Sequence, residues 1–403
     1  MELPTSDPLR KEKFEGHSTE KMLRLAARIR DDRHFADFPI IDCDAHHYEA
    51  ESIAEIAEYI EDESIRQEAK SNPRFLVSGG GTRQPMGGRI TRYPLRPLEE
   101  TPSDNKHRDV HLTHRFMDAM GTDYSVLFPT GLLSAGLESP RMEATLCRAY
   151  SRWLIEKIGK GTDRVKVLVQ LPFGTPDEAY KLVQEMGDEP GVAGFHVSSV
   201  RYNRIHDNDY MKTYSLIEEM GKPIALHSGF NANDPFMKLG EPFIVMHALG
   251  FSLFNVLHLC NWIMNGMNER FPKLNMIWTE SGLAWVPWVA QRLDSDYRMR
   301  SSECPGLKKL PSEYIQDMYY TTQPMEVPND LSLLECTFKV IKAETQLLFG
   351  SDYPHWDMEL PTAIYDLPFL DEKAKRNILG ENARRVYNID VTDRYPDYQP
   401  LAA

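Results

Sequence analysis

The chain has 403 residues, 41% hydrophobic and 26% charged, the make-up of a globular protein able to bury a sizeable core. Its formal net charge of −14, without a dense basic run, argues against nucleic-acid binding by phosphate neutralisation. Five scattered cysteines with no CxxC pair argue against a disulfide framework or a thiolate zinc site. No run of 18 or more apolar residues and no leader-like N-terminus stand out, so the expected setting is cytoplasmic with no membrane partner.

In chain order, residues 1–37 read as a polar arm ending in a helix, with Met22, Leu23, Leu25, Ala26 and Ile29 as its apolar stripe. A strand is expected over 38–41, and just beyond it stand Asp42, Asp44, His46, His47 and Glu49. Unpaired buried charge is expensive, so these side chains belong at a strand end, holding something. Asp44 and His46, two residues apart, share one side of an extended chain and can converge on one point. A helical stretch over 51–69 leads to residues 72–105, rich in Gly, Pro and Arg, which reads as a long functional or interface insertion. Gly79, Gly80 and Gly81 within it lack the spacing of a phosphate loop.

From residue 117 onward short apolar runs alternate with amphipathic helical segments. Strands are expected over 124–128, 165–171, 192–197, 223–226, 274–278, 318–321 and 347–349, with helices over 143–158, 176–186, 210–220, 253–267 and 283–294. With 38–41 this makes eight strands in right-handed βαβ succession, which predicts an α/β fold, a closed (β/α)8 TIM barrel spanning 38–390, followed by a tail over 391–403. An open doubly wound sheet would want a GxGxxG turn, and none is present.

The rule that such barrels carry chemistry at the C-terminal ends of their strands finds Asp44 and His46 after the first, His196 at the fourth, His227 at the fifth, Glu280 at the sixth and Asp352 at the eighth. A thiolate-free mixture of His, Asp and Glu suits a divalent Zn, Mn or Fe ion. The second and third strands end uncharged, in Pro129-Thr130 and Pro172-Phe173.

The runs Asp42-Cys43-Asp44-Ala45-His46, Leu226-His227-Ser228-Gly229, Phe271-Pro272-Lys273-Leu274 leading to Glu280-Ser281-Gly282, and Gly350-Ser351-Asp352-Tyr353-Pro354-His355 resemble the amidohydrolase superfamily. The resemblance is to its amidohydrolase-related branch, which includes aminocarboxymuconate-semialdehyde decarboxylase-like enzymes, and covers about residues 38–387. It implies that Asp44 and His46 stand in the first-strand ligand pair, that His227 is the fifth-strand metal histidine, and that Asp352 binds metal and handles the proton of a metal-bound water. Two positions depart from the pattern. Glu280 replaces a sixth-strand histidine, and His196 stands where binuclear hydrolases carry a carbamylated lysine.

The surplus of donors makes Glu280 and His196, with His47 and Glu49 in reserve, candidates for a second ion; His47 and Glu49 serve equally well as hydrogen-bond supports for the first. Arg201 and Arg204 are candidate partners of a substrate carboxylate, and Trp285, Trp288 and Trp356 candidate walls of an apolar pocket. His355 is expected to orient Asp352 or contact substrate, and His258, mid-helix beside Trp262, to be a packing histidine. The expected activity is metal-dependent hydrolysis or non-oxidative decarboxylation of a small organic molecule, with Asp352 and Glu280 as acid–base groups. Two alternatives stay open: an oxygen-activating Fe or Fe/Mn hydroxylase on the same fold, and a non-catalytic metal-holding subunit. Homo- or hetero-oligomerisation through the arm or the insertion is expected.

Overall fold

Eight parallel strands pair in sequence order into one sheet: β1 Ile41–His47, β2 Tyr124–Pro129, β3 Val165–Gln170, β4 Val192–Ser198, β5 Ile224–His227, β6 Met276–Thr279, β7 Tyr319–Thr321 and β8 Leu347–Leu348. The structure, a computed structural model, describes residues 19–71, 100–229, 231, 233–241, 243–355 and 357–400. The sheet closes where the amide of Cys43 donates to the Phe349 carbonyl at 2.7 Å and that of Asp352 donates to the Asp44 carbonyl at 2.6 Å. Helices lie between successive strands, which makes the chain a (β/α)8 barrel.

The helix at Pro176–Met186 falls where it is expected, started by a proline at its first turn with Asp177 and Glu178 beside the helix N-terminus. The stretch over 51–69 instead breaks into Ile53–Ala57 and Glu63–Ser71, because Asp62 turns back to accept the amides of Ser64 at 3.1 Å and Ile65 at 3.3 Å. The larger correction is β1. It begins at Ile41, three residues later than its hydrophobicity suggests, and runs through the whole ionisable stretch to His47, every residue buried.

What makes that possible is a bulge. Ile41 and Asp42 pair with Tyr124 and Ser125, but Ala45 and His46 pair with Leu127 and Phe128, so β1 carries one residue more than β2 across this interval. Ile41 and Cys43 point into the barrel interior with Tyr124, Val126 and Phe128, while Ala45 joins the outer core with Leu127. The extra residue shifts the alternation, and His46 thereby faces inward beside Phe128. Asp42 clamps the bulge: its Oδ1 accepts the amides of Asp44 at 3.1 Å and Ser351 at 2.8 Å, and its Oδ2 accepts the Ser351 hydroxyl at 2.5 Å. Burial, above the effect of these bonds, pushes the Asp42 carboxyl up to about 6.

The interior below the site is filled by Cys43, Val126, Leu168, Ala193, Ala225, Ile277 and Leu348. Tyr387, Ile389 and Val391 plug it from beneath, so the tail expected from 391 begins with a core residue. Arg394 and the Tyr395 hydroxyl then fasten to Asp123 at 2.7 Å and 3.0 Å. The helix Thr19–Asp32 lies on the outer wall with Met22, Ala26 and Ile29 buried, and the Arg30 guanidinium donates to the Asp118 carbonyl at 2.5 Å. The rest of the arm, residues 1–18, and residues 72–99 of the insertion, Gly79 to Gly81 among them, lie outside the described residues.

One helix departs from the hydropathy reading. Phe243–Met264 starts ten residues before the stretch expected over 253–267, and its 21 residues Ile244–Met264 are long and apolar enough to cross a membrane by length and composition. Its inner face packs as a barrel helix should, with Leu259, Trp262 and Ile263 buried and His258 Nε2 against the Ser199 carbonyl at 2.9 Å.

Candidate metal centre

Side chains from β1, β5, the ends of β6 and β8 and the level below, on β4, meet on the barrel axis at its C-terminal mouth. Asp44, His46, His227 and Glu280 each offer a ligand atom within 4.8 Å of all the others, and His46, Asp352 and His355 form a second such set; all six residues are buried. His46 Nδ1 faces the Pro129 carbonyl at 2.8 Å, and His227 Nδ1 faces the Ser228 carbonyl at 2.9 Å. A carbonyl only accepts, so both rings carry their proton on Nδ1 and turn the Nε2 lone pair inward.

The two Nε2 atoms lie 3.1 Å apart; Asp44 Oδ1 is 3.1 Å from that of His227 and 3.3 Å from that of His46. Asp352 Oδ1 stands 3.3 Å from His46 Nε2, and Glu280 Oε2 stands 3.5 Å from His227 Nε2. Lone pairs that face one another at these distances repel unless a cation lies among them. Donors about 2.1 Å from a shared ion stand roughly 3.0 to 3.4 Å apart, close to the 3.1 to 3.5 Å seen here. The residues therefore fit a divalent ion, and the buried Asp44 Oδ2 and Asp352 Oδ2 oxygens, which no group among the described residues satisfies, point the same way.

The backbone is bent to deliver two of these carboxylates. Glu280 (φ 53°) and Asp352 (φ 57°) both adopt the left-handed conformation that non-glycine residues avoid, a strain of about 1 kcal/mol or more that collects at functional sites. The amide of Glu280 is held by Thr321 Oγ1 at 3.0 Å. Gly350 lets β8 come close: a Cβ there would lie 2.6 Å from that of Asp44.

Burial and the carboxylates' mutual repulsion, Glu280 foremost, hold the Asp352 carboxyl well above its ordinary value. Burial raises the Asp44 carboxyl, and only a proton or cation shared with the His227 and His46 rings brings it below the usual range. Asp44 by itself would raise the neighbouring His46, yet burial leaves that ring lowered. We take the neutral ring as the physical state, because desolvation of a fully buried imidazolium is the larger effect.

His355 Nδ1 lies 2.6 Å from Asp352 Oδ1, and its Nε2 lies 3.0 Å from Thr130 Oγ1. The Thr130 hydroxyl donates to the His47 carbonyl at 2.8 Å, so His355 Nε2 carries the hydrogen towards it. His196 faces inward on β4, level with Gln170 and Ala225 and one layer below His227. It is fully buried, neither ring nitrogen has a partner among the described residues, and burial followed by repulsion from His227 and His46 keeps its pKa well below the ordinary value.

Several sequence candidates are occupied elsewhere. His47 points out of the barrel, where its ring contacts Asp109 Oδ2 at 2.9 Å and the Tyr150 hydroxyl at 2.8 Å and stacks on Trp153. Glu49 accepts the amides of Thr130 at 2.9 Å and Leu132 at 2.6 Å, fixing the loop that carries Thr130. Arg201 is buried against Glu143 Oε1 at 2.8 Å and donates through Nε to the Ser198 carbonyl at 2.7 Å, while Arg204 is exposed. Trp285 turns its Nε1 back on the carbonyls of Ser281 and Gly282, Trp288 is exposed, and Trp356 lies outside the described residues. Sequence reasoning passed over Asp42, Phe128 and Ser351. Asp42 was visible in the same ionisable run, but its partner lies 309 residues away.

Fold and site together define a barrel protein with a buried His/carboxylate cluster at its C-terminal mouth that could hold a metal ion. The chain belongs to the amidohydrolase family, whose pattern it matches over residues 41–389. A curated relative, the gamma-resorcylate decarboxylase of Rhizobium sp. (strain MTP-10005), is 20% identical over 289 residues, 68% of this chain and 86% of the relative. Among solved structures, 5-carboxyvanillate decarboxylase LigW from Sphingomonas paucimobilis superposes with a TM-score of 0.64 at 18% identity, covering 88% of this chain and 100% of its own. A dihydroxybenzoic acid decarboxylase from Polaromonas sp. JS666, with bound manganese and the inhibitor 2-nitroresorcinol, gives 0.62 at 16%, covering 89% and 99%.

Proposed function

We propose that this chain is a divalent-metal-dependent enzyme that removes the carboxyl group of a small aromatic acid without an oxidant. The observation that carries the reading is the convergence of Asp44, His46, His227, Glu280 and Asp352 on one buried point. The names of the relatives supply the reaction, and the manganese of the Polaromonas enzyme supports Mn as the ion among Mn, Zn and Fe.

Asp44, His46, His227 and Asp352 would hold the ion, which when bound anchors substrate oxygens and offsets their charge. Glu280, set against His227, orients the substrate or shares the ion. As the bond to the carboxylate carbon breaks, its electron pair passes to the ring carbon, which must take up a proton. The close Asp352–His355 pair is placed to hold that proton and hand it over. The closed floor of Phe128 and the apolar layer below it excludes water from beneath.

The test is carbon dioxide release from a panel of hydroxybenzoic acids by protein loaded with Mn2+, Zn2+ or Fe2+, with oxygen uptake followed in parallel. Metal-dependent release without oxygen uptake, lost in Asp352→Asn, is expected. Cleavage of amides, esters or lactones with no carbon dioxide would replace this reading by hydrolysis, and substrate-dependent oxygen uptake would replace it by hydroxylation.

A further inference from the structure

Among the described residues β7 gives no ligand atom to either cluster, yet the chain leaving it grips the loops of both its neighbours. The turn after β6, residues 280–284, needs such support. Glu280 (φ 53°) and Gly282 (φ 72°) are both left-handed within three residues. A non-glycine residue strained by about 1 to 3 kcal/mol persists there only where its surroundings over-determine it. Thr321 Oγ1, at the end of β7, accepts the Glu280 amide at 3.0 Å. Further along the same chain, Glu326 Oε2 accepts the amides of Leu283 at 2.9 Å and Ala284 at 3.3 Å. The turn is thus held at both ends from β7.

Glu326 does the work of a cap from a distance. The helix Trp285–Arg300 begins just past the two amides, and Gly282, Leu283 and Ala284 carry no side-chain acceptor, so the carboxylate comes from 42 residues beyond Ala284. There it meets the favourable end of the helix dipole as well as the two donors. Gly282 makes room for it: a Cβ at that position would overlap Glu326 Oε1. The other side of the same loop is tied to β8. Glu359 Oε1 accepts the Met325 amide at 3.2 Å, the Glu359 amide donates to the Ser351 carbonyl at 2.8 Å, and Thr322 Oγ1 accepts the Gly350 amide at 3.0 Å. Ser351 leads directly into Asp352, the second carboxylate on a left-handed backbone.

We propose that Glu326 is a positioning residue of the candidate metal centre: through the 280–284 turn it fixes Glu280 beside His227, while Glu359 ties the same loop to that of Asp352. This rests on the metal-dependent reading above and deepens it. Glu326 is itself exposed and sends no ligand atom into the cluster, so its effect passes through Glu280. Glu280 Oε2 stands 3.5 Å from His227 Nε2. A turn released by Glu326 lets Glu280 return to ordinary backbone angles, which swings that oxygen away from the ring.

The experiment is a double-mutant cycle on the full chain, stripped with chelator and titrated with Mn2+ in a calorimeter. Glu326→Ala and Glu280→Gln should each weaken binding roughly 10-fold, and the double variant should bind no more weakly than Glu280→Gln alone. Glu326→Gln, which keeps an oxygen for the two amides, should restore wild-type affinity. Should Glu326→Ala not fold, as judged by circular dichroism, Glu326→Asp, whose carboxylate is set back by a methylene, carries the comparison. Unchanged affinity in Glu326→Ala overturns the proposal, as does a loss that persists in full in the Glu280→Gln background or that Glu326→Gln fails to restore. Carbon dioxide release from hydroxybenzoic acids, measured on the same samples, separates the two ideas. Release by the wild type with no coupling between positions 280 and 326 sinks the positioning role alone, and coupling without release sinks the decarboxylase reading alone.

Discussion

Asp352 donates its backbone amide to the carbonyl of Asp44 at 2.6 Å, so the carboxylates at the two ends of the barrel sequence are joined through the main chain as well as through the site. The seam between β8 and β1 is therefore part of the candidate metal centre, and the residues along it that are not ligands should still control metal affinity.

Gly350 is the sharpest case. A methyl group there would lie 2.6 Å from Asp44 Cβ and 3.5 Å from Thr321 Cβ, inside a seam with no room to move apart. Gly350→Ala should keep the barrel but displace Asp44, weakening Mn2+ binding roughly 10- to 100-fold, the usual effect of disturbing a ligand's support. Isothermal titration of metal into the stripped variant checks this; unchanged affinity would mean Asp44 is not a ligand.

Asp42 should matter for folding rather than for binding. Asp42→Ala leaves two amides and the Ser351 hydroxyl without an acceptor in the core, a loss on the order of 3 kcal/mol or more. Asp42→Asn keeps one oxygen for the two amides and can donate to Ser351 Oγ, so it should unfold close to wild type. Denaturant titration of the pair, with metal present throughout, distinguishes loss of the bulge clamp from loss of charge.

Acid stability should depend on His258. Burial pushes this ring down to about 4, against about 6.5 when the chain is unfolded. Above pH 6.5 neither state is charged there; between 6.5 and 4 the unfolded chain takes up a proton that the folded chain refuses, so stability falls as the pH falls through this window. At roughly 1.4 kcal/mol per unit the loss approaches 3 kcal/mol. His258→Gln, which retains a donor for the Ser199 carbonyl, should flatten this part of the stability–pH curve; an unchanged slope between pH 6.5 and 4 would show the ring is not responsible.

The outer face of the helix Phe243–Met264 exposes Ile244, Leu249 and Leu257 by half or more, near Phe236 and Leu239, and bears no charged side chain. An uncharged apolar stripe of this size on a protein of net charge −14 favours a second copy over an anionic lipid surface. Light scattering should find a particle larger than 46.4 kDa, which Leu249→Asp with Leu257→Asp returns to that mass. A 46.4 kDa wild-type particle at working concentration would count against association through this face.

The alternation of eight apolar runs with amphipathic helices was enough to specify the barrel, because period and order alone restrict how parallel strands can close. The spacing of Asp44 and His46 likewise placed them on one side of a strand, and His227, Glu280 and Asp352 fell at strand ends. What the tertiary structure decided was direction. Nothing local says that β1 continues to His47, that a bulge turns His46 inward, or that His47 and Glu49, from the same run, turn to Asp109, Tyr150 and the Thr130 loop instead. Those outcomes depend on acceptors and donors supplied from far along the chain, above all Ser351 for Asp42 and Glu143 for Arg201. A charged side chain enters a core only where a distant partner meets it, and the partner's position is a property of the closed barrel rather than of the segment.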